Sequence, residues 1–510
     1  VEYNFLYWFS GVCGGLWYLL NEDGGIIWFR ILGVILNTST FILSYKLLQN
    51  YVSKLPLLLS LVMVLFVNDY GFLTFYHNQI TAFFSVCIVF ALHRGLVQAN
   101  YKWLLLAGII YILNGLTRLP NFVFGLIFLV LPFYFYVNKI KFKLMLKPMA
   151  YVLFGIGLGV IIAVTIQVYN GHLPIMKQAL YTMMDVGKTE GSSHNFRVLL
   201  LAQYFNLVSI ISSLFQFLLA FVIVTLLLFF TKHKSLIFNF ILVLYGVFIV
   251  YWVNYNAIFS IYSLAYVACL LIVFSKKIES NQRVIGFMGI IMLGTMTLGT
   301  AGGINSSGYM AIWIAFPLFY LSLPIVVLKI KEFGKKRIEY PLQYNTKITT
   351  TLIVVISISF LALKAFKISQ EAYFDIGNRM DKTYLINNKK ARHIYTTERR
   401  ANIVNNMLKN LNTYVSEGDY LFAYDHIPMV HFLTNTKPYT YNPWPGIYDS
   451  FSFEKKITKA EREINILPIV LIQKFETIAA FSEPKPNYMI SDKNNAILHN
   501  SKSIQLMNDF

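Results

Sequence analysis

The chain has 510 residues, of which 56% are hydrophobic and only 13% charged, a balance that excludes a soluble globular protein. Its net charge of +19 raises nucleic acid as a partner, but the excess sits in short loops between apolar runs, where a membrane protein keeps its cytoplasmic lysines. Nucleic acid is therefore excluded as a partner. The first 366 residues carry 25 Lys and Arg against 9 Asp and Glu, and the last 144 carry 18 against 15, so residues 1–366 read as a membrane domain and 367–510 as a water-facing one.

In chain order, the first stretch is "VEYNFLYWFSG", where the acidic Glu2 stands directly ahead of an aromatic, apolar, helix-like run. Apolar runs of near-bilayer length then recur at 25–47, 54–69, 79–96, 102–117, 119–137, 147–169, 207–231, 235–252, 256–275, 283–301, 308–329 and 348–366. That predicts about twelve spans, the second of them short. The connecting loops alternate. One set holds Lys46 and Lys54, Arg94 and Lys102, the 139–147 lysines, Lys232 and Lys234, Lys276 to Arg283, and Lys331 to Arg337. The other set is nearly free of basic residues. The positive-inside rule makes the first set cytoplasmic. It places 1–24, 68–78, 170–206, 253–255, 302–307 and everything after 366 outside. A chain whose Val1 lies outside predicts a preceding helix in the intact protein, thirteen spans in all.

Polar residues gather at the outer ends of these runs. "FVNDYGFLTFYHNQITAFF" places Asn68, Asp69, His77 and Asn78 around one outer turn, and "GHLPIMKQALYTMMDVGKTEGSSHNFR" offers His172, Lys177, Asp185, Lys188, His194 and Arg197. A charge at a bilayer edge ordinarily reaches the headgroups. Arg118 differs, because "NGLTRLPNF" gives it almost no loop to escape into. A fixed anionic partner is the expectation for its guanidinium, with reach to the headgroups as the alternative, and a phosphate suits the paired donors of its planar fork. Cys13, Cys87 and Cys269 all lie in apolar stretches and read as packing residues. No Cys/His set has zinc spacing, and no Gly-rich phosphate loop occurs.

In the tail, "RRANIVNNMLKNLNTYV" has helical spacing with Ile403, Met407 and Leu411 on one stripe; "GDYLFAYD" and "PIVLIQKF" read as strands, and "IPMVHFL" as a short helix between them. Alternating strands and helices predict a small α/β domain. "YTYNPWPGIY" is an aromatic loop that reads as packed on the domain or membrane surface, with a sugar-stacking site as the alternative.

The run Glu2-Tyr3-Asn4-Phe5-Leu6-Tyr7-Trp8 resembles the "E-K-P-P-L-x-Y-W" stretch in the first outer loop of the aminoarabinose transferases that modify lipid A. These belong, with the protein O-mannosyltransferases, to the C-type glycosyltransferase (GT-C) superfamily. "FYHNQITAFF" resembles that superfamily's second outer loop, and "LAGIIYILNGLTRLPNFVFGLIFLVLPF" its outer helix pair. The layout, many spans followed by an outer α/β tail, is similar over nearly the whole chain, though the motifs are short and degenerate. The resemblance implies an inverting transferase that moves a sugar from a polyprenyl-phosphate carrier to a lipid, glycan or protein acceptor outside the cytoplasm. It gives Glu2 a catalytic role at the active centre, where the acceptor oxygen needs a base and the departing phosphate needs positive charge. Arg118 becomes a donor-phosphate contact, with Lys177 and Arg197 as further candidates. Tyr3, Asn68, Asp69, His77 and Asn78 would line the substrate cavity. A divalent metal is possible, since members of the superfamily differ.

Three departures stand out. The family's main acidic residue would fall before Val1, Tyr3 stands where the family has a phosphate-binding lysine, and Asn78 stands where many members have an acid. The alternative for Glu2 is a solvated acid favoured at a helix start. The expected location is a bacterial plasma membrane, with the active site outside. Other readings are a lipid-linked oligosaccharide flippase or transporter, a polysaccharide polymerase, or a glycan-binding membrane protein whose tail does the work.

Overall fold

A computed structural model describes residues 2–67, 74–188, 195–230, 235–256, 258–300, 302–323, 325, 346–372, 375–424, 426–445, 450–477, 481 and 483–484. A 3-10 turn, Glu2–Tyr7, leads into α1 (Trp8–Leu20), and α2 (Gly25–Leu48) folds back beside it. Trp17 and Trp28 stack at 4.2 Å and each indole N–H donates to the other's backbone carbonyl. Two large aromatic surfaces and two indole donors are thereby satisfied within one hairpin.

Next come α3 (Lys54–Phe66), α4 (His77–Val97), α5 (Lys102–Thr117) and a 3-10 stretch, Leu119–Leu129, that continues as α6 (Val130–Val137). Then follow α7 (Leu146–Tyr169), α8 (Leu173–Lys188), α9 (Phe196–Phe230), α10 (Ser235–Asn256), α11 (Ile258–Phe274) and α12 (Ser280–Thr295). The short α13 (Gly303–Ser307) and α14 (Ile312–Ala315) precede α15 (Thr346–Gln370), which enters the tail.

The protein is mainly helical and carries helices fit to cross a membrane. Among the described residues six are long and apolar enough: Glu22–Leu48, His77–Val97, Leu119–Val137, Phe142–Tyr169, Phe196–Ala220 and Ile353–Gln370. A further apolar pair, Val243–Asn254 and Ile258–Phe274, is bent by 111°. Each of the twelve predicted runs overlaps helical structure, but Lys54–Phe66 and Lys102–Thr117 fall short of the roughly 20 residues a crossing needs. The described part of the run predicted over 308–329 is broken into short helical pieces: Gly308 opens it in a 3-10 turn and Pro317 interrupts its centre. The 170–206 segment, expected to be a loop, contains α8, and α9 begins at Phe196 rather than near 207.

Helices pack through small residues, as expected where lipid replaces water and apolar burial no longer drives association. A Cβ on Gly155 would stand 2.1 Å from the Leu105 carbonyl oxygen, and one on Gly108 would stand 2.5 Å from that of Val152, so α5 and α7 meet backbone to backbone. Buried polar groups supplement this contact. Asn121 donates to Thr81 Oγ1 at 2.9 Å and to the carbonyl of Asn114, and Asn114 donates to Ser85 at 3.2 Å. This network ties α4, α5 and the 119–129 stretch together.

The tail follows its sequence pattern closely. Strands β1 (Glu371–Ala372) and β2 (Asp375–Ile376) pair antiparallel, as do β3 (Tyr384–Leu385) and β4 (Tyr395–Thr396). The expected helix is α16 (Glu398–Leu411), the expected strands are β5 (Tyr420–Tyr424) and β7 (Ile469–Ile472), and the short helix is α17 (Met429–Thr434). With β6 (Lys437–Pro438) they form a parallel sheet of order β6-β5-β7, covered by α18 (Ser450–Glu463) through Phe453 and Ile457. Asp375 pairs with Lys382 at 3.3 Å and with Arg400. The tail docks on the α1–α2 hairpin: Phe432 lies edge-on to Tyr18 and Phe29, and Ile26 joins the cluster of Ile386, Ala391 and Leu408. Gly25, at φ +52°, passes so close to the Lys390 carbonyl that a Cβ would clash at 2.1 Å.

His431 gives the tail a pH dependence. Its ring is buried, meets Thr436 Oγ1 at 3.2 Å, and burial pushes its pKa down from 6.5 to about 4. The folded tail holds it neutral while the unfolded chain protonates it. The tail should therefore be most stable above pH 6.5 and lose stability down to about pH 4, by up to about 3 kcal/mol. Protease sensitivity of the tail across a pH series should show this, and His431→Gln should flatten that part of the profile.

Candidate functional site

The N-terminal end of α4 and the C-terminal end of α5 carry the polar cluster. The segment leading into α4 is set by α2: Gly33 forms a notch where a Cβ would stand 2.7 Å from the Thr74 carbonyl carbon, and the Phe75 N–H donates to the Phe29 carbonyl at 3.1 Å. This fixes Tyr76 and His77 at the head of α4. The His77 ring stacks on Tyr7 at 4.2 Å and meets Tyr76 at 3.9 Å, so the 3-10 turn that begins with Glu2 ends against α4. Ser10 Oγ lies 3.4 Å from the Thr117 carbonyl and brings α1 to the residue before Arg118.

On the other side, Trp8 donates its indole N–H to His172 Nδ1 at 3.1 Å, and Phe5 lies edge-on to the same imidazole. The structure thus assembles residues 5–8, 76–78, the Arg118 turn and the start of the 170–206 segment in one place. The side chains of Glu2 and Tyr3, and both Asn68 and Asp69, lie outside the described residues, as does His194. Lys177 and Arg197 are exposed on α8 and at the start of α9. No described hydrogen bond or ion pair joins either to Arg118.

Arg118 is only 4% exposed. Its guanidinium donates to the Met296 carbonyl at 3.1 Å, to the Leu298 carbonyl at 2.6 Å and to Thr300 Oγ1. The 296–300 loop can curl around it because Gly299 adopts φ +72° and passes Pro120 at a distance no Cβ would allow. These partners are neutral, and among the described residues no carboxylate pairs with Arg118. Three fixed acceptors orient the fork. Tyr7, Tyr76 and Tyr309 lie within its electrostatic reach. Asn78, 6% exposed, and Arg118 lie beside the Tyr309 hydroxyl, which is buried and completes no well-formed hydrogen bond. Both amide atoms of Gln79, next along α4, are likewise buried and unpaired.

Chemically, this is a cation with no carboxylate partner among the described residues, set beside aromatic faces and buried hydrogen-bonding groups. Such a site suits an anionic, hydroxyl-bearing ligand. Among the described residues no three His, Cys, Asp or Glu side chains converge as a metal site. Tyr7, Tyr76, Tyr309 and Thr300 were not singled out from the sequence. Only the position of Tyr309 at an outer end, in "GGINSSGY", could have drawn attention to it. No protein-family model matches the chain, and no curated protein is significantly similar to it.

The clamp can be tested without substrate. Arg118→Met should destabilise the protein by about 1–3 kcal/mol for each buried carbonyl left unpaired. Gly299→Ala should lower stability as well, by straining the loop that supplies those carbonyls. Thermal unfolding in detergent measures both; an unchanged transition in Arg118→Met would show that the clamp contributes nothing.

Proposed function

We propose that the protein is a GT-C-type glycosyltransferase, moving a sugar from a polyprenyl-phosphate carrier to an acceptor outside the cytoplasm. The observation that carries this reading is Arg118, buried, aimed by three neutral acceptors and with no carboxylate partner among the described residues, beside the segment that begins with Glu2. In this reading Arg118 stabilises the phosphate that leaves, where negative charge grows in the transition state. Glu2 deprotonates or orients the acceptor hydroxyl, alone or through a divalent ion. Lys177 and Arg197 would add phosphate contacts, and Tyr3, Asn68, Asp69, His77 and Asn78 would line the cavity. A carrier with its tail in lipid and its phosphate at polar side chains requires a site at the membrane edge, and in this reading the cluster where α4 begins and α5 ends lies at the outer edge. The reading includes about twelve crossings, with the tail outside a bacterial plasma membrane.

A second reading, a transporter for a lipid-linked glycan, draws support from the 111° bend between α10 and α11 and from the broken 303–315 stretch. Discontinuous helices are how many transporters build their sites. Net movement of a labelled lipid-linked sugar across vesicles, with no transfer to any acceptor, would favour it.

For transfer, Glu2→Gln should lower single-turnover rates by roughly 10²–10⁴-fold with little change in donor binding. Arg118→Ala should weaken donor binding and slow transfer together, and Arg118→Lys should rescue incompletely because a point charge lacks the paired donors. A wild-type rate in Glu2→Gln would reduce that residue to a solvated acid. Orientation is tested separately. A cysteine at Lys336 should be protected from an impermeant thiol reagent in intact cells, and one at Asn435 labelled; the reverse pattern would place the cluster on the cytoplasmic face.

A further inference from the structure

Helix α8 carries two apolar stripes, and only one is used inside the protein. Met176 and Ala179 are buried against Phe5, Trp8 and Ala163. The second stripe is Leu173, Leu180 and Met184, which are 41%, 39% and 48% exposed, flanked by the exposed Lys177 and Tyr181. Their spacing of i, i+4, i+7, i+8 and i+11 puts them within roughly 100° of arc on one side of the helix. Pro174 and Gln178 are exposed on the side that remains.

The place of α8 in the chain says what meets this stripe. Helix α7 belongs to a 28-residue apolar span that ends at Tyr169, and Gly171, at φ +66°, turns the chain directly into α8. Helix α8 therefore begins where a crossing ends. The outward face of α7, with Ile161, Val164 and Val168 exposed, runs toward this turn. The stripe on α8 thus follows, within one turn of chain, the exposed apolar face of a span-length helix. Apolar residues flanked by a lysine and a tyrosine are the composition of a helix lying in a membrane interface, with the lysine reaching back to the headgroups.

We propose that α8 lies in the plane of the outer leaflet, its Leu173–Leu180–Met184 stripe seated at the boundary between headgroups and acyl chains of the phospholipid surface. The opposite stripe grips Phe5 and Trp8, and the Trp8 indole is hydrogen-bonded to His172 at the start of the helix. Seating α8 on lipid therefore sets the depth of the Glu2–Tyr7 turn relative to the membrane. This inference does not depend on glycosyl transfer.

The test uses the whole protein with its three cysteines replaced by alanine, reconstituted in phosphatidylcholine–phosphatidylglycerol vesicles. An environment-sensitive NBD fluorophore is placed at Leu180→Cys, at Met184→Cys as a second reporter of the stripe, at Gln178→Cys, and at Tyr414→Cys on the exposed tail. At positions 180 and 184 aqueous iodide quenching should be lost, and lipids spin-labelled near the headgroup should quench more than lipids labelled deep in the chain. At 178 and 414 iodide should quench freely. Iodide quenching at 180 and 184 equal to that at 414 would put the stripe in water and overturn the proposal. Stronger quenching by the deep label would overturn the in-plane placement.

Discussion

The arrangement where α4 begins and α5 ends depends on how one buried guanidinium is satisfied. A charge removed from water needs hydrogen bonds or a counter-ion, or its burial is prohibitively costly. Arg118 meets that requirement with two backbone carbonyls and a threonine hydroxyl from one loop. Gly299 lets that loop curl tightly over Pro120. The loop follows α12 and leads toward α13 and Tyr309, so satisfying Arg118 also fixes where that phenol stands. Three residues further on, Asn121 joins Thr81 and Asn114. Arginine and asparagine thus fasten a single turn to α4, α5 and the loop after α12. A neutral cage holds the guanidinium in place without cancelling its charge, which is the condition under which a positive group remains useful to a ligand.

Much of the layout was legible in the sequence because it rests on local rules. The tail's strands and helices followed period-2 and period-3.6 patterns, and β5, β7, α16 and α17 fall on the quoted stretches. The apolar runs marked the membrane helices, since each must satisfy its own backbone in lipid. Composition alone did not register the breaks. Residues 308–329 are apolar enough for a span, yet Pro317 interrupts the described part of them. Helix α8 was obscured because its segment was read through its charges rather than its period; Ile175, Met176 and Ala179 already marked its buried side.

The cluster was legible in part for a related reason. Arg118 drew attention as a charge with almost no loop to escape into, and His77 and Asn78 as polar residues at the end of an apolar run. Their partners could not be read, because Met296, Leu298 and Thr300 act through backbone or lie 178 to 182 residues away. Tyr7 and Trp8 belong to the stretch that resembled the transferases, yet their places against His77 and His172 come from tertiary packing.

The Glu2–Tyr7 turn is held from three directions. Tyr7 stacks on the head of α4, Phe5 and Trp8 are gripped by α8, and α1 continues into the hairpin on which the tail docks. The last of these is indirect. Phe432 meets Tyr18 and Phe29, and the α1–α2 hairpin is locked by its paired indoles. A shift of the tail would therefore be carried along α1 as a nearly rigid rod, because a helix with its hydrogen bonds intact does not absorb displacement within a few turns.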